Sequence, residues 1–93
     1  MQTMSPSASD PRGNVIVLPL VLTIGCARNF VEHCRFVGAT ASEKFLVREC
    51  DLATAQRAGY RPAIIVVPKR VYDEHAAAFE NLATQAAAAL LTC

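Results

Sequence analysis

Apolar and polar positions alternate between strand-like runs and helix-like spacing along most of the chain. The clearest run is residues 63–67, five apolar residues of which four are β-branched, bounded by Pro62 and Pro68. Short β-branched runs between turn residues are typical of strands buried on both faces. Proline is tolerated at both ends, because neither position has to donate to the ladder. The pattern therefore predicts a parallel sheet with helices on both sides.

Two further strands are predicted upstream. Residues 15–24 are almost entirely apolar, but Pro19 divides them, and proline is excluded from the middle of a central strand. Residues 20–24 are therefore predicted as the core strand, and residues 15–18 as an extended lead-in. A shorter strand is predicted at residues 45–47, with Cys50 near its end.

Helical periodicity lies between these strands. Phe30, Val31, Cys34 and Val37 follow the i, i+1, i+4, i+7 spacing of one helix face. Gly38 follows directly and is predicted to end this helix, since glycine favours the residue after a helix terminus.

The second half of the chain predicts two more helices. Asp51 is a good N-cap for a short helix over residues 52–58, which Gly59 would end. Residues 72–90 form an alanine-rich helical pattern. Its apolar stripe consists of Phe79, Leu82, Ala83, Ala86 and Leu90. For residues 87–93, the helix propensity of alanine favours a continued helix, while the apolar end of the chain also fits a short fourth strand.

The order is strand, helix, strand, helix, strand, helix, with a fourth strand left open at the C-terminus. This order predicts an α/β fold, a three-layer α/β/α arrangement around a small parallel sheet. Residues 1–14 are rich in Ser, Pro and Gly and are predicted to be a flexible N-terminal arm. Residues 15–93 are predicted to form one domain.

Composition narrows the classes of partner. The 93 residues carry a net charge of +1 and no run of basic residues, which argues against binding to nucleic acid. No stretch is long enough to span a membrane as a helix. The hydrophobic fraction is 53%, and a small sheet leaves edges that need cover. A protein partner and a homo-oligomer, formed through the last helix or by sheet extension, are therefore expected.

The four cysteines have no spacing that indicates a disulfide framework or a zinc site. They are interpreted as reduced thiols of a cytoplasmic protein, and neither a metal nor a cofactor is expected. Two alternatives involve Cys26. In one, Cys26 is a nucleophile or redox thiol, because a helix N-terminus and nearby Arg28 would lower its pKa. With strand order 2-1-3, Cys50 would end a neighbouring strand and could approach it.

Cys26 also resembles the cysteine of sugar-phosphotransferase B domains and of small phosphatases. The phosphatase loop has an arginine six places after its cysteine, where this chain has Glu32. In the second alternative, residues 15–24 and the following Gly-Cys-Ala resemble a bacterial lipoprotein signal cleaved before Cys26. Pro19 inside the apolar run and the single positive charge of the leader, Arg12, argue against that interpretation.

Basic and aromatic residues flank the proline-bounded strand. Arg61 precedes it, and Lys69, Arg70 and Tyr72 follow it. Their simplest state is solvated, but they are also the candidates for binding an acidic surface of a protein partner.

Several segments resemble the receiver domain of bacterial response regulators. Residues 61–68 (Arg-Pro-Ala-Ile-Ile-Val-Val-Pro) are similar to the family's "R-P-D-L-I-L-L-D" segment, and residues 51–55 are similar to the helix opening after its second strand. As a strand, residues 89–93 would resemble the family's fourth strand. The resemblance implies a flavodoxin-like fold and a role in two-component signal transduction.

The departures from that family concern its chemistry. Receivers place two acidic magnesium ligands after the first strand, where this chain has Cys26 between Gly25 and Ala27. They place the phosphoryl-accepting aspartate where this chain has Val67 or Pro68. Thiol and proline supply no hard oxygen ligand for magnesium. The resemblance therefore implies a pseudo-receiver, a non-catalytic domain that acts by protein–protein contact.

Overall fold

The computed structural model describes Ser7–Ser9 and residues 15–93, with side chains from Leu18 onward. Secondary-structure elements follow one another with short connections. In chain order they are β1 (Ser7–Ser9), β2 (Val15–Val17), β3 (Leu20–Ile24), α1 (Arg28–Thr40), β4 (Leu46–Cys50), α2 (Leu52–Ala58), β5 (Ile64–Val67), α3 (Lys69–Glu74), α4 (Ala76–Ala86) and β6 (Ala89–Thr92).

The main sheet has four strands in the order β4-β3-β5-β6, and every neighbouring pair is parallel. Val21 of β3 lies opposite both Val47 of β4 and Ile64 of β5, so β3 and β5 form the centre of the sheet. The predicted α/β class and the predicted strand buried between two layers are confirmed. Buried residues are concentrated in β3 and β5, which supply Val21, Leu22, Ile24, Ile65, Val66 and Val67.

The direction of each crossover decides which face its helix covers. The chain moves one way across the sheet from β3 to β4 and the other way from β4 to β5 and from β5 to β6. Because such crossovers are right-handed, α1 lies on one face and α2 and α4 lie on the other. The core on the α2 and α4 side contains Leu22 and Ile65 of the sheet with Ala55, Phe79 and Leu82 of the helices.

Helix α1 packs on the opposite face through fully buried Val31. Gly38 does not end this helix, which continues to Thr40. Its role is close packing, because a Cβ at residue 38 would lie 2.6 Å from the backbone oxygen of Phe45. The predicted helix stop is therefore wrong: the missing side chain allows α1 to approach the start of β4.

The C-terminal segment is a strand rather than the continuation of a helix. Helix α4 ends where Ala87 adopts a left-handed conformation with φ 55° and donates its N–H to the oxygens of Ala83 and Thr84. Residues 89–92 then pair with β5 from Ile64 to Val67. Alanine propensity favours helix here, but the ladder satisfies backbone groups of β5 that a helix would leave unpaired.

The helix predicted over residues 72–90 is two helices. Helix α3 begins at Lys69, directly after Pro68, whose extended φ of −62° and ψ of 143° suit an N-cap. His75 separates α3 from α4 with φ −139° and ψ 37°, outside the helical region. The predicted short helix over 52–58 is confirmed, with Asp51 as its cap and Gly59 after its end at φ 69°.

A small antiparallel hairpin precedes the main sheet. Ser9 pairs with Val15 and Ser7 with Val17. The flexible arm predicted for residues 1–14 lies outside the described residues except for β1. The extended lead-in at residues 15–18 is confirmed as β2, and Pro19 separates it from β3.

Replacing Gly38 with alanine tests the close packing of α1. Helix propensity alone predicts that Gly38→Ala stabilises the protein by about 1 kcal/mol. Because the new Cβ would meet the backbone oxygen and the ring of Phe45, we expect instead a loss of about 2 kcal/mol in the free energy of unfolding, measured in urea. Ala39→Gly, at an exposed neighbouring position, is the control and should cost only the propensity difference. A stabilised Gly38→Ala protein would contradict this packing.

Candidate interaction surface

The carboxyl ends of the parallel strands, where α/β sheets usually bind ligands, carry little catalytic chemistry. They lead into Cys26, Asp51, Pro68 and Cys93. The one carboxylate among these four residues is engaged in the fold, because Asp51 accepts a hydrogen bond of 2.7 Å from the N–H of Thr54 at the start of α2. Hydrogen bonding from Thr54, through its side chain and then its backbone, lowers the pKa of Asp51.

The thiol of Cys26 is not activated. It donates to the carbonyl oxygen of Val66 at 3.6 Å. Burial, followed by the neighbouring Cys93 thiol, raises the pKa of Cys26 to about 12. The direction is opposite to the lowering expected from a helix N-terminus and Arg28, and desolvation is its largest cause. Cys50 packs against the core on the α2 and α4 side, so Cys93 rather than Cys50 is the thiol that acts on Cys26.

Metal-binding groups do not converge in the described part of the chain. Among those residues, no three His, Cys, Asp or Glu side chains are placed to hold a metal ion. His33 and His75 are both exposed. No helix among the described residues is long and apolar enough to cross a membrane.

The basic and aromatic candidates do not form one surface. Arg61 lies before β5, whereas Lys69, Arg70 and Tyr72 lie in α3 after it. Lys69 pairs with Asp73 at 3.1 Å, and Tyr72 donates its hydroxyl to Glu80, which raises the pKa of Tyr72. Arg70 is exposed. The structure thus separates Arg61 from the other three and engages two of those within the fold.

A different surface stands out on the α1 face of the sheet. Beside α1 lies an open groove of about 330 Å³. Its apolar lining comes mainly from the sheet: Val21 from β3, Ile64 and Val66 from β5, and Leu91 from β6. Cys34 of α1 lines it as well. We call this the β5–β6 groove.

The topology explains why the groove is open. An α-helix is about 10 Å wide, whereas four strands spaced by about 4.8 Å extend about 14 Å from the first strand axis to the last. Helix α1 connects β3 to β4 and is the only helix that the described crossovers place on this face. It therefore covers one half of the face and leaves the half over β5 and β6 without a helix.

The remaining exposed apolar side chains belong to the same layer. Among the described residues, the large apolar side chains that are exposed are Phe36 (65%) and Val37 (37%) of α1 and Leu91 (51%) of the groove. The opposite flank of α1, next to β4, is charged: Arg28 pairs with Glu32 at 3.3 Å and with Glu49 at 3.5 Å. The apolar surface is thus confined to α1 and the strands beyond it.

The candidates predicted from the sequence were charged, aromatic and nucleophilic residues near strand ends, and this apolar surface was not among them. The signal that could have found it is topological. With a fourth strand beside β5, a single crossover on one face leaves two strands there without a helix. The sequence left residues 87–93 open between a continued helix and a fourth strand, and the open half of the face follows only from the strand.

No protein-family model, no curated protein and no solved structure matches this chain.

The state of Cys26 can be tested by alkylation. At pH 7 a thiol with a pKa of about 12 holds roughly a thousandth of the thiolate of an ordinary cysteine, and the thiolate is the nucleophile. We expect iodoacetamide to modify Cys26 at least about 100-fold more slowly than exposed Cys93, followed peptide by peptide by mass spectrometry. Cys93→Ser removes one cause of the raised pKa and should accelerate the reaction of Cys26. Equal rates for Cys26 and Cys93 would contradict the buried thiol.

Proposed function

We propose that this protein is a non-catalytic, receiver-like signalling domain that works by protein–protein contact in the bacterial cytoplasm. The observation that carries the proposal is the β5–β6 groove with its exposed apolar surroundings. An open apolar groove on a small domain marks a site of interaction, because leaving it in water is unfavourable. In this proposal, the partner is a protein of the same pathway, a second copy of the chain, or both.

The strand order supports the receiver-like part of the proposal. The sequence β4-β3-β5-β6 corresponds to 2-1-3-4, the order of the first four strands in flavodoxin-like folds. Many functions share that order, so it supports a fold class and leaves the function to the site. The site lacks phosphorylation chemistry, because Cys26 and Pro68 occupy the strand ends where receivers carry carboxylates.

The cysteine-based alternative is less well supported. A catalytic or redox thiol needs thiolate at neutral pH, and burial raises the pKa of Cys26 instead. The lipoprotein alternative has a structural cost. Cleavage before Cys26 would remove β3, which pairs with both β4 and β5 at the centre of the sheet. Four free thiols are also in keeping with a reducing compartment.

A beryllofluoride titration tests the absence of phosphoryl chemistry. Beryllofluoride with Mg²⁺ imitates a phosphorylated aspartate, and the residues on either side of Val67, Val66 and Pro68, carry no carboxylate. We expect the amide resonances of Val66, Val67 and Lys69 in a ¹⁵N-labelled sample to show no saturable shift. Fluoride alone and Mg²⁺ alone are the controls. Saturable shifts that require both Mg²⁺ and beryllofluoride would contradict the non-catalytic assignment.

A further inference from the structure

We propose that the β5–β6 groove is occupied by α1 of a second copy of this chain, with Phe36 as the residue that enters it. The inference rests on the proposed function, for which it names the partner and the surface. Both halves of the contact, an exposed aromatic side chain and an open apolar groove, are present on the same face of one molecule.

The placement of Phe36 gives the geometry. Val31 points from α1 into the sheet and is fully buried. Phe36 follows five residues later, which at about 100° per residue turns it roughly 140° away from Val31. Its side chain therefore projects from the outer surface of α1, where it is 65% exposed. A residue directed away from its own sheet is well placed to meet the sheet of another molecule.

One symmetry operation brings α1 of each copy, with Phe36, into the β5–β6 groove of the other. A two-fold axis parallel to the strands, placed between α1 and the groove, sets α1 of each copy over β5 and β6 of the other. Two helices side by side then fill the layer between two sheets, and each sheet has a full cover of helices on this face. The contact is isologous, so it closes as a dimer and buries Phe36 and Leu91 of both copies.

Charge at the groove rim also fits a second copy. The charged side chains that line the groove are one acid and one base, Glu43 and Lys44. A rim of a single sign would repel itself across a two-fold axis, whereas a mixed rim can place Glu43 of each copy against Lys44 of the other. The net charge of the chain, +1, adds little general repulsion between copies. The ammonium of Lys44 donates one hydrogen bond of 3.2 Å to the carbonyl oxygen of Ala41. Its other N–H groups remain available to pair with Glu43 of a second copy.

The two edges of the sheet differ in their charged side chains. At the β4 edge, Arg48 lies over the ring of Tyr60 with 5.2 Å to its centroid, and Glu49 pairs with Arg28. Strand β6, residues 89–92, contains no charged side chain and no proline. Charges protect an exposed edge from association, so the unprotected edge is the one beside the groove. Association is thus favoured on the β6 side of the molecule.

Complementary-charge variants test the pairing of Phe36 with the groove. The mass of the full chain is measured by light scattering after size exclusion, across a range of concentrations. We expect the wild type to reach twice the 10.0 kDa of the chain. Phe36→Glu and Leu91→Lys should each weaken the dimer by at least about 100-fold, because each buries a charge against an apolar partner surface.

Mixing the two variants tests directly whether residue 36 of one copy contacts residue 91 of the other. In the mixed pair, one contact is intact and the other places the carboxylate introduced by F36E against the ammonium introduced by L91K. Association should therefore return when the two variants are mixed in equal amounts. Ala77→Glu on α4 and Gln56→Lys on α2 introduce the same charges at exposed positions on the opposite face, and they should leave the dimer unchanged. Thermal unfolding followed by circular dichroism checks that each variant remains folded.

A wild type that stays monomeric at millimolar concentration overturns the second copy as occupant. So do F36E and L91K proteins that dimerise like the wild type, and so does a mixture that remains monomeric while each variant is folded. The beryllofluoride titration is read on the same chain whatever its mass. A monomer without beryllofluoride shifts therefore overturns this inference alone, and a dimer with such shifts overturns the non-catalytic assignment alone.

Discussion

A parallel sheet has to be covered on both faces, and the rest of this structure depends on that constraint. On one face α2 and α4 enclose a core around fully buried Phe79, Leu22 and Ile65. On the other face α1 is the only covering helix, because its crossover is the only one in the described sheet that runs towards β4. Gly38 lets α1 approach Phe45 at the start of β4, and the groove over β5 and β6 stays open. The open groove is a consequence of the topology.

The groups at the strand ends make contacts within the fold. Asp51 is used as the cap of α2, and Cys26 is held against the carbonyl of Val66 with a raised pKa. Pro68 is the N-cap of α3 and follows β5 directly. Residues at the carboxyl ends of the strands thus stabilise the fold. The open apolar surface is the β5–β6 groove, which lies on the α1 face of the sheet. This distribution is the basis of the proposal that the protein works by contact with a partner.

Local pattern predicted most of the elements, and long-range pairing decided the rest. The β-branched run at residues 64–67 and the Asp51 and Gly59 signals around α2 needed only short-range information. Residues 89–92 could not be assigned from short-range information, since their alanine and leucine content favours a helix. They form a strand because they pair with the free edge of β5. The role of Gly38 likewise depends on Phe45, a neighbour in space that periodicity cannot reveal. The groove depends on the fourth strand, which the sequence left open as an alternative to a continued helix.

Solvent exposure of individual methyl groups tests the central claim, the half-covered face, most directly. A soluble gadolinium chelate relaxes methyl protons that contact water. In a dilute, methyl-labelled sample the account predicts strong relaxation at Leu91 and Ile64 and almost none at Ile65, which is fully buried. The relaxation of Leu91 and Ile64 should fall as the concentration rises and copies associate. Protection of Leu91 and Ile64 at every concentration would contradict the account, because it would mean that the chain covers this face by itself.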